Sequence, residues 1–403
     1  MLKKIVRSIK KKSIIYDIKQ YIFINKYFFK LFNICLPFIN INNRKIVFCS
    51  YYGGNYSCNP KYITEELIKQ NIICELVWLV DKRKVENLFA FPKKIKLVNY
   101  LSINAFFELA TAKIWIDNCR KEYFPNIKDN QYYFQTWHGN MGIKKIEKDI
   151  VNKLSARYIE DAKRDSCITS FCISNGLHIS KLYKKSFWYL DTIQILEYGS
   201  PRNDILINGI NLTQIKKNIG ISNELKIVLY APTFRDNYSF DSYSINYQNI
   251  IIELENKYDC KWVFLVKMHP NLILYYRDCL KVPDSVINVS LYPDIQELLS
   301  ISDILISDYS SSMFDFMFTK KPCFIFATDY EDFQKKRNGV YFELDSLPFL
   351  IAKNNEQLIK NIRSFDVNIY QQKVNKFIND TGCFENGNAC KMVVVKICEL
   401  MEK

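Results

Sequence analysis

The chain lacks the signatures of several common enzyme classes. It has no GxxxxGK[ST] loop, no GxGxxG turn, no HExxH and no GxSxG, so ATP hydrolysis on a P-loop, dinucleotide redox chemistry and serine hydrolysis drop out. No DxD pair follows an apolar run, so the sequence requires no tightly held divalent metal; a divalent cation is compatible with it but not indicated. Histidine is scarce, with only His138, His178 and His269, and the 13 cysteines stand singly without a CxxC pair. A zinc site has no ligand set, and the thiols read as buried and reduced. In the absence of a secretory cleavage pattern, a reducing cytoplasmic setting is expected. Glycine is low as well, at 11 residues beside abundant Ile, Lys, Asn and Phe, a genome bias that says little about function.

Acidic residues are nearly missing from the start of the chain. Residues 1–45 carry eleven Lys and Arg against Asp17 alone, which puts +10 of the net +14 there. No zinc finger, RNP motif or basic zipper accompanies this charge, so nucleic acid is not the expected partner. An uncharged run of the roughly 18–20 residues needed to span a bilayer is also lacking, because Lys26 and Lys30 interrupt the segment. Ile14, Ile18, Tyr21, Ile24, Phe28, Leu31 and Cys35 recur at helical spacing up to Pro37. The pattern predicts a basic amphipathic helix over 1–44 lying on an anionic membrane surface, or alternatively a helix packed on the next domain.

At 403 residues the chain exceeds a single core, and two domains are expected. From Lys45 onward short apolar runs alternate with helical patterns: IVFCS, CELVWLV, KIWIDN, YYFQTW, CITSFCIS and IQILEYG, then KIVLYAP, WVFLVKMH, DILISD and CFIFA. This βαβ alternation predicts two doubly wound α/β halves with a cleft between them, over 45–200 and 201–378, with a C-terminal helix over 379–403 packing across both. The polar stretch 217–226 reads as an inter-domain crossing. In such sheets ligands sit beyond the carboxyl ends of the strands.

Four strand ends carry polar clusters. In Gln135-Thr136-Trp137-His138-Gly139, followed by Lys144, Lys145 and Lys148, a His at a strand terminus suits a general base beside an anion site; it would equally suit a hydrogen-bonded core His. Tyr230-Ala231-Pro232-Thr233-Phe234-Arg235-Asp236 offers the Thr233 hydroxyl and an Arg235 guanidinium, as a phosphate clamp or paired to an acid. In Lys267-Met268-His269-Pro270 the alternation of a strand points Lys267 and His269 to one side, available to a diphosphate. Asp303 to Asp315 passes from strand through Asp308, Ser310 and Ser311 into a helix, where hydroxyls and N–H groups make an anion cradle or a plain N-cap. Glu297, Asp303 and Asp315 are positioned to take ribose hydroxyls or to pair locally.

Taken in order, QTWHG (135–139) with KKIEKD (144–149), GSPRND (199–204), LYAPTFRD (229–236), KMHP (267–270), SDILISDYSSSMFD (302–315) and GVYFELDSLP (339–348) resemble the CDP-glycerol glycerophosphotransferase family of teichoic-acid and capsule assembly. The resemblance spans about 45–400, with SYYGGNYSCNP (50–60) near its start. It implies a GT-B-like pair of Rossmann-type domains, an N-terminal acceptor half and a C-terminal donor half, at the cytoplasmic face of the membrane as a peripheral protein. It implies transfer of polyol phosphate from CDP-glycerol or CDP-ribitol to a lipid-linked glycan, with CMP leaving. By the same resemblance His138 is the acceptor base and His269 serves the donor diphosphate. Arg235, Ser310, Ser311, Thr233 and Lys267 hold donor phosphates; Asp308, Asp315 and Pro270 lie by the nucleotide or polyol; and Trp137, Gly139, Lys144 and Lys145 lie on the acceptor side. Asn140-Met141-Gly142, where many members read Thr-Pro-Leu, departs from the pattern, as do Phe349 and Asn388-Ala389-Cys390-Lys391. A GT-B glycosyltransferase using CMP-sialic acid and a non-catalytic nucleotide- or glycan-binding protein are the rival readings.

Overall fold

Ile46–Cys49, Leu76–Val80 and Ala112–Asp117 are buried along their whole length, as expected of strands covered by helices on both faces. The computed structural model describes residues 29–85, 90–122, 124–139, 141–142, 144–235, 243–269, 286–331, 333 and 340–403. Most of the basic amphipathic segment, together with Asn140, Asp236, Pro270 and Gly339, lies outside them.

The first sheet contains β1 (Asn42–Cys49), β2 (Glu75–Val80), β3 (Ile95–Asn99), β4 (Ala112–Asp117), β5 (Tyr132–Gln135), β6 (Phe171–Ile173) and β7 (Gln194–Leu196). Its order is β3-β2-β1-β4-β5-β6-β7, parallel throughout. The second contains β8 (Lys226–Tyr230), β9 (Trp262–Val266), β10 (Val286–Asn288), β11 (Ile304–Ser307), β12 (Cys323–Phe326) and β13 (Leu350–Ala352), ordered β10-β9-β8-β11-β12-β13 and also parallel. Both are doubly wound, and strand order reverses at β1/β4 and at β8/β11, where such sheets open a crevice. The architecture is GT-B-like.

Some sequence readings shift. In CITSFCIS only Phe171–Ile173 is strand, because Cys167 and Ile168 finish the helix Ala156–Ile168, capped at its start by Ser155. The helix Leu212–Ile219 already packs on Ile295–Ile301 of the second half, so the polar stretch 217–226 lies inside that half. Strand β3 mixes polar and apolar residues, and β10 and β13 are only three residues each, so none reads as a long apolar run.

The chain returns to its beginning. Helix Ala389–Met401 packs on helix Cys58–Lys69 and on β4, putting Val393, Val394, Ile397 and Leu400 into the first half's core. A second tie joins the halves directly: Lys61 Nζ lies 2.8 Å from Asp294 Oδ2 and 2.5 Å from Glu297 Oε1. The Tyr62 hydroxyl donates to the same Asp294 carboxylate at 2.7 Å. After β1 the backbone turns tightly at Gly53, φ +77°, where a Cβ would sit 2.7 Å from the Asp81 amide nitrogen, so no other residue fits.

Candidate active site

At the first switch point, β1, β4 and β5 end side by side. β4 runs out through Asp117 into Asn118, whose carbonyl lies 2.6 Å from His138 Nδ1. A carbonyl can only accept, so Nδ1 carries the hydrogen and Nε2 presents its lone pair. Among the described residues no group hydrogen-bonds Nε2. Burial pushes His138 down to about 4; the Asn118 carbonyl opposes this, and the charges of Arg202 and Arg120 add to it. The imidazole is therefore neutral at physiological pH, in the form a general base needs. Cys119 Sγ lies 3.6 Å from Nδ1, and the Tyr51 ring packs edge-on at 5.7 Å.

Backbone strain concentrates here. Trp137, Tyr51, Tyr52 and Cys58 have φ of +52°, +47°, +55° and +62°, left-handed values that non-glycine residues adopt at a cost and that cluster at functional sites. The Asn118 side chain holds the turn after β1, its Oδ1 accepting from the Tyr51 N–H at 2.8 Å. Below the loop, Arg120 pairs with Glu147 and Asp165, both at 2.7 Å. Its guanidinium lies 5.4 Å from the Trp137 ring and 4.4 Å from Phe187. Trp137, expected on the acceptor side, is thus a buried residue that supports His138 from beneath. Gly139 accepts from the Tyr183 hydroxyl at 3.3 Å. Lys144 forms an antiparallel bridge with Val340 and sets its Nζ 6.0 Å from the Phe333 ring, so it stands where the halves meet. Lys145 is half-buried beside it.

The second switch point lies between β8 and β11. Asp308 accepts from the N–H groups of Thr233 at 2.9 Å and Tyr309 at 2.6 Å, tying the two strand ends together. Arg235 departs from the expected phosphate clamp. Nη2 pairs with Asp308 at 2.8 Å, Nε pairs with Asp329 at 2.6 Å, and Nη1 donates to the Thr233 carbonyl and hydroxyl. Its guanidinium is buried and committed, so it braces the turn; Asp308 and Thr233 belong to that brace. Lys267 departs too. Nζ donates to the carbonyls of Ser290 at 3.2 Å and Tyr292 at 2.7 Å, and burial pushes it down to about 8. His269 is exposed at the end of the same segment, its ring 5.9 Å from Phe234. Both lie beyond the strand, which ends at Val266, so strand alternation does not set where Lys267 and His269 point.

The Ser310 hydroxyl sits 2.8 Å from that of Ser312 and accepts from the Ser312 N–H; Ser311 makes no capping bond with its side chain. Both are half-buried. The helix they introduce, Ser312–Phe316, is only five residues long, so hydroxyls and N–H groups matter more here than a helix dipole. Asp315 is taken up by Arg202 and by Gln296 Nε2 at 2.9 Å. Asp303 lies at the opposite end of β11, away from the strands' carboxyl ends, accepting from the Ile227 N–H, and Glu297 is paired to Lys61. Among the described residues no three His, Cys, Asp or Glu side chains converge as metal ligands.

Residues 28–399 match the sequence model of the family described as CDP-Glycerol:Poly(glycerophosphate) glycerophosphotransferase. The chain belongs to this family. Among its relatives, the Teichoic acid poly(glycerol phosphate) polymerase of Staphylococcus epidermidis is 32% identical over 88% of this chain and 50% of its own length. The Teichoic acid glycerol-phosphate transferase of Staphylococcus aureus is 32% identical over 90% of this chain and 94% of its own. A structure of the Wall Teichoic Acid Polymerase TagF soaked with CDPG superposes with a TM-score of 0.77 at 30% identity, covering 90% of each chain. The chain thus spans about half the length of some relatives and nearly all of others. Family membership accounts for the ordered motifs; the roles of Asn118, Arg202 and Arg120 emerge only from contacts between segments distant in sequence.

Proposed function

We propose that the chain transfers glycerol phosphate from CDP-glycerol to a hydroxyl of a membrane-linked envelope glycan, releasing CMP. The observation that carries this reading is the neutral His138, its Nδ1–H fixed on the Asn118 carbonyl and its Nε2 without a hydrogen bond among the described residues, in a chain of this family. In the reaction, Nε2 takes the acceptor proton while the acceptor oxygen forms a bond to the glycerol-bearing phosphorus. The opposite P–O bond breaks, and its electron pair leaves with CMP. Little else than positioning and charge stabilisation is needed for such a transfer. His269 and the hydroxyls of Ser310 and Ser311 serve the donor diphosphate, while Arg235, Asp308, Thr233 and Lys267 keep their turns in shape. The first half is the acceptor domain and the second the donor domain.

Among the described residues no helix is long and apolar enough to cross a membrane. The basic amphipathic start of the chain supports peripheral binding to an anionic leaflet, where the lipid-linked acceptor would be met. The test is CMP release by the purified protein with CDP-glycerol, CDP-ribitol and CMP-sialic acid in parallel, with membrane extract as acceptor source. Release from CDP-glycerol, lost in His138→Ala, is expected. Release only from CDP-ribitol changes the polyol, and release only from CMP-sialic acid overturns the reading.

A further inference from the structure

The side chain of Asn59 is buried, at 1% exposure, in the first turn of helix Cys58–Lys69. Its Nδ2 donates to the carbonyls of Thr136 and Trp137, both at 3.1 Å. Its Oδ1 accepts from the Arg202 N–H at 3.1 Å. The first two acceptors flank the strained left-handed Trp137 and immediately precede His138. The donor to Oδ1 is the backbone N–H of Arg202, in the turn between the halves, whose guanidinium grips Asp315 of the second half. One amide therefore satisfies three backbone groups from two segments far apart in sequence, with every bond it makes bearing on the base or on the junction. A buried amide used for packing alone would not need both of its donors on the two residues before a candidate base.

We propose that Asn59 is a positioning residue for His138, holding the strained turn that aims Nε2 and fixing it to the Arg202 junction between the halves. The proposal rests on the reading of His138 as the base. It assigns Asn59 no contact with substrate. Loss of the amide lets the carbonyls of Thr136 and Trp137 rotate out of line, and a displacement of about 1 Å at a reacting group costs on the order of 10²-fold in rate.

The test uses the full chain with Asn59→Ala and Asn59→Asp. The second keeps the shape and the bond from the Arg202 N–H but turns an acceptor toward the two carbonyls. CMP release from CDP-glycerol is measured as kcat and KM, with rates normalised to the folded fraction from circular dichroism. The His138 imidazole is followed by NMR, where only three histidines must be told apart. Expected are a kcat lower by about 10²-fold in both variants, a donor KM within about twofold, and a His138 titration displaced from the wild type's. Unchanged kcat per folded molecule together with an unchanged His138 titration would overturn the proposal. Should the wild type release no CMP from CDP-glycerol, the function proposed above fails, while the imidazole titration still decides the role of Asn59.

Discussion

Arg202, in the turn between the halves, and Asp315 of the second half meet in a bidentate pair, Nε to Oδ2 at 3.0 Å and Nη2 to Oδ1 at 3.1 Å. Both side chains are buried, so the pair contributes little relative to apolar packing but is costly to break on one side only. Arg202→Met leaves Asp315 buried without its cation and is expected to cost about 3–5 kcal/mol. Arg202→Met/Asp315→Leu is expected to recover much of that loss. Urea denaturation of the single and double variants checks this, and equal losses in both would show that the interface depends on more than charge compensation.

Protonation of His138 gives a pH signature. Because His138 is pushed down to about 4, the base form survives well below the ordinary histidine pKa of about 6.5. kcat/KM is expected to stay flat as pH falls from 7 to about 5 and to drop toward 4, and an acid limb centred near 6.5 would show that His138 titrates as a solvent-exposed imidazole. Stability follows the same shift: between 6.5 and 4 the unfolded state binds the extra proton, so His138 makes the fold less stable as pH falls through that window. His138→Asn is expected to lessen that slope in denaturation measured from pH 7 to 4.5, and to lower turnover by about 10²–10⁴-fold.

The fold was legible because buried parallel strands write themselves as continuous apolar runs, as in Val77 to Val80 and Ile114 to Ile116, and their ends locate the crevice. What escaped was partnership. Arg235 and Lys267 are basic residues at strand ends, which is how a phosphate site reads. Whether their charges face a ligand or an internal acceptor depends on Asp329, Ser290 and Tyr292, and no local pattern links these to them. Arg202 and Asn59 were visible only as members of motifs, since their roles arise from contacts 113 residues apart with Asp315 and 77 and 78 apart with Thr136 and Trp137.

Lys267 offers a direct test of that distinction. With Nζ on two backbone carbonyls, Lys267→Met is expected to cost about 1–3 kcal/mol in stability, the range for leaving buried acceptors unsatisfied. The KM for CDP-glycerol is expected to remain within about twofold. A KM raised tenfold or more with stability intact would return Lys267 to the donor phosphates.

Glu385 links the C-terminal segment to the turn between the halves: Oε1 accepts from the Ser200 N–H at 3.1 Å and from Asn203 Nδ2 at 2.8 Å. Oε2 is buried without a partner among the described residues. Burial pushes the carboxyl up to about 8, with the two hydrogen bonds opposing and the charge of Asp315 reinforcing the rise. At neutral pH the folded protein keeps this proton while the unfolded chain has released it, so between about 4.5 and 8 the folded state binds more protons. The Glu385 contribution is complete at the acid end of that window and is lost as pH rises through 8. Glu385→Gln keeps the Oε1 acceptor and carries no titrating proton. It is therefore expected to match the wild type near pH 5 and to be the more stable of the two at pH 8.5 in urea denaturation. A wild type that still matches Glu385→Gln at pH 8.5 would mean that the carboxylate is accommodated in the fold, its charge met by Ser200 and Asn203.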